Sequence, residues 1–62
     1  LMLEAEDVNA CYRAMKKKDW LIFLEDLADR PYGIRCFRLL DPNKNDIVIF
    51  SYLKDLEEKG LL

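Results

Sequence analysis

Asn45-Asp-Ile-Val-Ile-Phe-Ser-Tyr-Leu-Lys-Asp-Leu-Glu-Glu-Lys-Gly-Leu-Leu62 is the stretch whose reading decides the fold. Its apolar content is the densest in the chain, and its front half reads two ways. Ile47-Val-Ile-Phe50 is β-branched and apolar on all sides, which suits a short extended segment; Ser51 would then cap a shorter helix. Read as a helix from Asp46, the stretch places Val48, Ile49, Tyr52, Leu53 and Leu56 on one stripe. Gly60 after Lys59 is a natural helix stop in either case. We take the helix, over about 46–59, as the expectation.

Working upstream, Asp41-Pro42-Asn43-Lys44-Asn45 is a loop by composition. Before it, Pro31 suits the first turn of a helix over about 31–40, because its missing N–H would be unpaired there. Tyr32, Cys36, Phe37, Leu39 and Leu40 would face inward, with Arg35 and Arg38 sharing the other side. Arg30 precedes proline and is biased out of helical geometry, which ends a preceding helix by Asp29. That helix, about 19–29, takes Asp19 as N-cap. It would bury Trp20, Leu21, Phe23, Leu24, Leu27 and Ala28, leaving Ile22 among acidic residues. A first helix, about 4–17, carries Ala5, Val8, Cys11, Tyr12 and Met15 at three- and four-residue steps. Acidic residues in its first turn and Lys16, Lys17 and Lys18 in its last oppose the helix dipole. The expected fold class is therefore all-α, a compact bundle of four short helices in one small domain spanning 1–62, or a piece of a larger chain.

Composition narrows the function classes. At 62 residues a chain buries only about 60% of the surface that its unfolded form exposes. A core of that size supplies roughly 3–5 kcal/mol, so such domains often lean on a staple or a partner. There are two cysteines, no histidine and no paired Cys spacing, which excludes a four-ligand zinc site. Buried thiols are favoured over a Cys11–Cys36 disulfide, and free thiols lean intracellular, whether cytoplasmic or nuclear. A net charge of −2 gives no general pull toward nucleic acid or anionic membrane. The longest apolar run, Trp20 to Leu24, is far too short to span a bilayer. With no histidine, two glycines and no nucleophile motif, we expect no enzyme and no cofactor.

Two local resemblances carry functional implications. Phe37-Arg-Leu-Leu-Asp41-Pro-Asn43-Lys-Asn45-Asp46-Ile-Val48-Ile-Phe50-Ser-Tyr52-Leu53 resembles an EF-hand. The resemblance implies Asp41, Asn43 and Asn45 as the first three oxygen ligands of a calcium ion, with Phe37, Leu40, Leu53 and Leu56 on flanking helices. Asp46 stands where the family has glycine, and Tyr52 where it has the bidentate glutamate. The implied hand is degenerate and does not bind calcium tightly. Separately, Phe23-Leu-Glu-Asp-Leu27-Ala28-Asp-Arg-Pro-Tyr-Gly33-Ile34 is similar to the first helix and turn of a helix-turn-helix, and the C-terminal stretch is similar to the last helix of winged-helix domains. That likeness implies DNA binding through Arg35 and Arg38, with Lys16, Lys17 and Lys18 adding to a basic patch.

The leading expectation is a non-enzymatic protein-interaction module, an adaptor or assembly domain. Ile34, Ile47 and Phe50 are apolar residues surplus to the helical stripes, and with Lys54 they form the expected contact surface. The expected partner is another protein or a second copy, with nucleic acid as the alternative and no membrane.

Overall fold

A computed structural model describes residues 1–62. The chain order is β1 (Met2–Glu4), α1 (Val8–Lys16), β2 (Ile22–Asp29), β3 (Ile34–Leu40), β4 (Asp46–Tyr52) and α2 (Leu53–Glu58). The strands form one mixed sheet in the order β1-β4-β3-β2. β2, β3 and β4 are an antiparallel meander, and β1 lies parallel to β4 at the far edge. From β1, the chain runs through α1 to β2 at the opposite edge, so α1 crosses one face of the sheet. No helix is long and apolar enough to cross a membrane.

This architecture overturns the all-α bundle. The expected helices over about 19–29 and 31–40 are strands β2 and β3, and the one over 46–59 is strand β4 followed by the short α2. Only α1 survives from the helix over about 4–17, preceded by β1. The physical reason is that β3 and β4 are central and carry apolar side chains on both faces. A strand of that kind lacks the apolar–polar alternation that marks a half-buried strand, and its apolar residues can be fitted to a helical stripe equally well. The helix-turn-helix likeness falls with the helices, because Phe23 to Ile34 spans strand β2, a tight turn and the first residue of β3.

The two prolines initiate hairpin turns. In Arg30-Pro31-Tyr32-Gly33 the Gly33 N–H donates to the Arg30 carbonyl at 3.1 Å, and Arg30 N–H to the Ile34 carbonyl at 2.8 Å. In Asp41-Pro42-Asn43-Lys44 the Lys44 N–H donates to the Asp41 carbonyl at 2.9 Å, and Asp41 N–H to the Asn45 carbonyl at 3.0 Å. Both turns place proline second, where its fixed φ fits, and a left-handed residue fourth. Gly33 takes that fourth place at φ +87° and Lys44 at φ +64°. The same construction thus recurs 11 positions later in the chain (Pro31, Pro42).

The core lies between α1, α2 and the inner face of the sheet. Val8, Phe37, Leu39, Ile49 and Leu56 are its buried centre, packed round by Cys11, Tyr12, Met15, Phe23, Leu27, Ile47 and Leu53 among others. Phe37 is the largest fully buried side chain. Its ring meets Tyr12 edge-on at 5.2 Å and stacks with Phe23 at 5.8 Å. Asp7 caps α1 by accepting from the Ala10 N–H at 3.2 Å. Gly60 ends α2 at φ +71°, with Leu61 N–H bonded to the Leu56 carbonyl and Gly60 N–H to the Glu57 carbonyl. That is the Schellman pattern, and Leu61 packs on the core beside it.

One buried hydroxyl ties the crossover to the sheet. Ser51 is 1% exposed. Its Oγ accepts the Val8 N–H at 3.0 Å and donates to the Ala5 carbonyl at 2.5 Å. Val8 opens α1, where a helix N–H has no partner of its own. The Ser51 side chain supplies that partner from β4.

Candidate functional site: the uncovered face of the sheet

Strand register assigns each residue to a face. Ile34 pairs with Tyr52, Cys36 with Phe50, Arg38 with Val48 and Leu40 with Asp46. Met2 continues the Val48 row and Glu4 the Phe50 row across β1. Glu25 continues the Arg38 row and Ala28 the Cys36 row across β2. Directly opposed residues share a face, so these form one surface, opposite to that of Phe37, Leu39 and Ile49. Both helices pack on the other side, around the core cluster.

The uncovered face has two zones. One is apolar: Met2, Val48, Phe50, Tyr52 and Ile34 adjoin, with Tyr32 in the neighbouring turn. Met2 is 60% exposed, Tyr52 46% and Tyr32 72%. The rings of Phe50 and Tyr52 meet edge-on at 5.5 Å. A depression of about 470 Å³ opens between this zone and the second, bordered by Met2, Tyr32, Glu25, Arg30 and Arg38, with Ile34 and Cys36 buried beneath.

The second zone is a chain of ion pairs across three strands. Arg38 donates Nε to Asp46 Oδ1 at 2.8 Å and Nη2 to Asp46 Oδ2 at 2.5 Å. Its Nη1 reaches Glu25 Oε1 at 3.1 Å. Arg30 pairs with the other oxygen of Glu25, and its Nε lies 3.5 Å from Cys36 Sγ. The hydrogen bonds from Arg38 hold the Asp46 carboxyl below its ordinary 3.8, and the two carboxylates raise the Arg38 guanidinium in turn. Two guanidiniums and two carboxylates sum to zero charge, so this zone is self-neutralised.

The expected contact residues divide between the two faces. Ile34 and Phe50 lie on the uncovered face, Ile34 buried and Phe50 half-buried. Ile47 is on the inner face and packs against the core. Lys54 is exposed on α2. Sequence reasoning missed Met2, Tyr32 and Val48 here. The row of Met2 depends on pairing between residues some 46 positions apart (Met2 with Val48), which no local pattern announces.

The expected basic patch does not assemble. Arg35 is held by Asp29, Nε to Oδ1 at 2.6 Å, on the inner face, and Asn9 accepts from it at 3.2 Å. Arg38 is on the opposite face, because three steps along a strand reverse direction where three steps along a helix nearly preserve it. Lys16 pairs with Asp26 at 3.1 Å and lies over the Phe23 ring. Lys18 sits over Trp20 at 5.7 Å, and Lys17 is the α1 C-cap.

The residues of the EF-hand likeness, Asp41, Asn43 and Asn45, lie in the loop between two antiparallel strands. Both Asp41 oxygens accept from Asn45, from its N–H at 2.8 Å and its Nδ2 at 2.9 Å. Those bonds lower the Asp41 carboxyl from 3.8, the backbone N–H foremost. No three histidine, cysteine, aspartate or glutamate side chains gather into a metal-ligand cluster anywhere in the chain. Cys11 and Cys36 are both free. Cys11 packs on the core from α1, and Cys36 belongs to the uncovered face. Compared with known proteins, the chain matches no family model, no curated protein and no solved structure.

Proposed function

We propose that the chain is a non-enzymatic protein-interaction module that receives its partner on the uncovered face of the sheet. The observation that carries this reading is an open depression on the uncovered face, lined by Met2, Tyr32 and Val48 with Glu25, Arg30 and Arg38, and adjoined by Phe50 and Tyr52, while both helices pack on the other face. A contiguous exposed apolar area of this kind is the usual mark of a binding surface. The neutral ladder runs through the same face, where Glu25, Arg30 and Arg38 line one side of the depression and supply its polar contacts. It also weighs against nucleic acid, because its guanidiniums are already engaged by carboxylates and a phosphate backbone rewards free cations. Free thiols at Cys11 and Cys36 support an intracellular setting.

The test uses an apolar dye, anilinonaphthalene sulfonate, with dilute folded protein and amide shift mapping. Shift changes should centre on Ile34, Val48, Phe50 and Tyr52. A folded chain that takes up no dye, or takes it up only around α1, overturns the reading.

A further inference from the structure

We propose that the occupant of the uncovered face is a second copy of this chain, packed sheet on sheet about a two-fold axis. The inference rests on the docking reading above and adds the identity of the partner.

Four observations carry it. The first is charge. A two-fold interface brings a surface against itself, so any net charge would repel its own image. Here Arg30, Glu25, Arg38 and Asp46 cancel within the face. Glu4 is the remaining charge, and it stands on the edge strand β1, where a rim position keeps it in water. A face made for an acidic or a basic partner would carry an uncancelled excess of the opposite sign.

The second is area. Three strands of seven or eight residues and the three-residue β1, at about 3.3 Å per residue and about 4.8 Å per strand, give a plane of roughly 400 Å². That plane is about half of the roughly 800 Å² that each partner of a standard interface contributes, which fits a weak, concentration-dependent pair. The whole chain exposes 4305 Å², so self-association would cover a substantial fraction of it.

The third is the size of the core. Eight of 62 residues are buried, a small core for independent stability. Packing a second sheet about 10 Å away, with strands crossing near −30°, is the standard way for a sheet with one free apolar face to gain a second layer.

The fourth is the state of the edges. β1 offers only three residues for further pairing. β2 is interrupted by two register shifts and carries Glu25, Asp26 and Asp29, so an antiparallel pairing with a second β2 would bring carboxylates near one another. Short, bulged and charged edges resist edge-to-edge growth. Association is thereby directed to the face.

Sedimentation equilibrium from about 10 µM to about 1 mM spans the range for a modest interface. The mass should rise from 7.4 kDa toward twice that value, with dye uptake falling as the dimer forms. Tyr52→Lys and Met2→Lys each place like charges across the two-fold axis at positions already open in the monomer. Each should raise the concentration at half-dimerisation by about tenfold or more, with an unchanged melt at the dilute end. Lys17→Ala, at the end of α1, should leave it unchanged. A chain that stays at 7.4 kDa throughout but takes up dye on the uncovered face overturns the second copy and leaves the docking reading standing. A monomer that takes up no dye overturns both. A dimer indifferent to Tyr52→Lys and Met2→Lys, or one that binds dye as fully as the monomer, overturns this face as its interface.

Discussion

Ser51→Ala is the substitution that most sharply separates this fold from a bundle. In a helix over 46–59 the hydroxyl would be a minor surface group. In the sheet it is 1% exposed and satisfies two backbone groups of the crossover. Removing Oγ leaves the Val8 N–H without an acceptor in a residue that is 0% exposed. A buried unsatisfied donor costs about 1–3 kcal/mol. Losing the bond to the Ala5 carbonyl adds about 1 kcal/mol, so the total is roughly 2–4 kcal/mol. Domains of this size hold about 3–5 kcal/mol in all, so the variant should lose about half of its stability or more. At about 4–8 °C per kcal/mol the melt falls by about 8–32 °C. Urea titration followed by far-UV circular dichroism gives the free energy directly, and an unchanged slope certifies a change in stability alone. A loss under about 0.5 kcal/mol, the range of ordinary surface substitutions, refutes the reasoning, because Ser51 would then not be the buried partner of α1.

Lys44→Gly should raise stability by about 0.5–1 kcal/mol in the same titration, because Lys44 holds φ +64° in the turn position where Gly33 serves in the other hairpin; a destabilised variant contradicts the shared turn. Asp41→Ala should cost about 1 kcal/mol by releasing Asn45, by the same amount with and without millimolar calcium, and a loss seen only with calcium present would show that the ion holds the loop. Acid should destabilise the fold. Asp26, Asp29, Asp41 and Asp46 all titrate below their ordinary 3.8 in the folded chain, through bonds from Lys16, Arg35, Asn45 and Arg38 respectively. Between those lowered values and 3.8 the unfolded chain binds more protons, so stability rises with pH there. The contribution is complete above about pH 5 and is lost as pH falls below about 4. A melting temperature that stays level down to about pH 2 would contradict it.

The legible parts of the sequence were those fixed by local chemistry. The stripe Val8, Cys11, Tyr12 and Met15 is the inner face of α1, and Gly60 does end the last helix. β2 and β3 resemble helices in sequence for a physical reason. Phe23 and Leu27 serve the core while Ile22 and Leu24 remain exposed, so apolar residues occur at both parities and period two is erased. The register shifts in β2 blur it further. Pro31 reads as a helix start because its fixed φ suits that place as well as the second position of a turn. Its recurrence at Pro42 was the available signal, since strands separated by turns at 8–12-residue spacing mark a meander. In the site, Ile34 and Phe50 stood out as surplus apolar residues and do share the uncovered face. Ile47 did not join them, because one step along a strand exchanges its faces. The ion-pair partners of Arg35 and Arg38 depend on register, which composition does not carry.

The central claim is that Asp46–Tyr52 is a strand flanked by β1 and β3, so that the sheet keeps one face free. Nuclear Overhauser contacts along this segment test it most directly. The account predicts close backbone contacts between Leu3 and Ile49 on one side and between Phe37 and Ile49 on the other, with no contacts between residues three apart within 46–52. A continuous series of such three-apart contacts from Asp46 through Leu56 would contradict the sheet, the uncovered face and the function built on it.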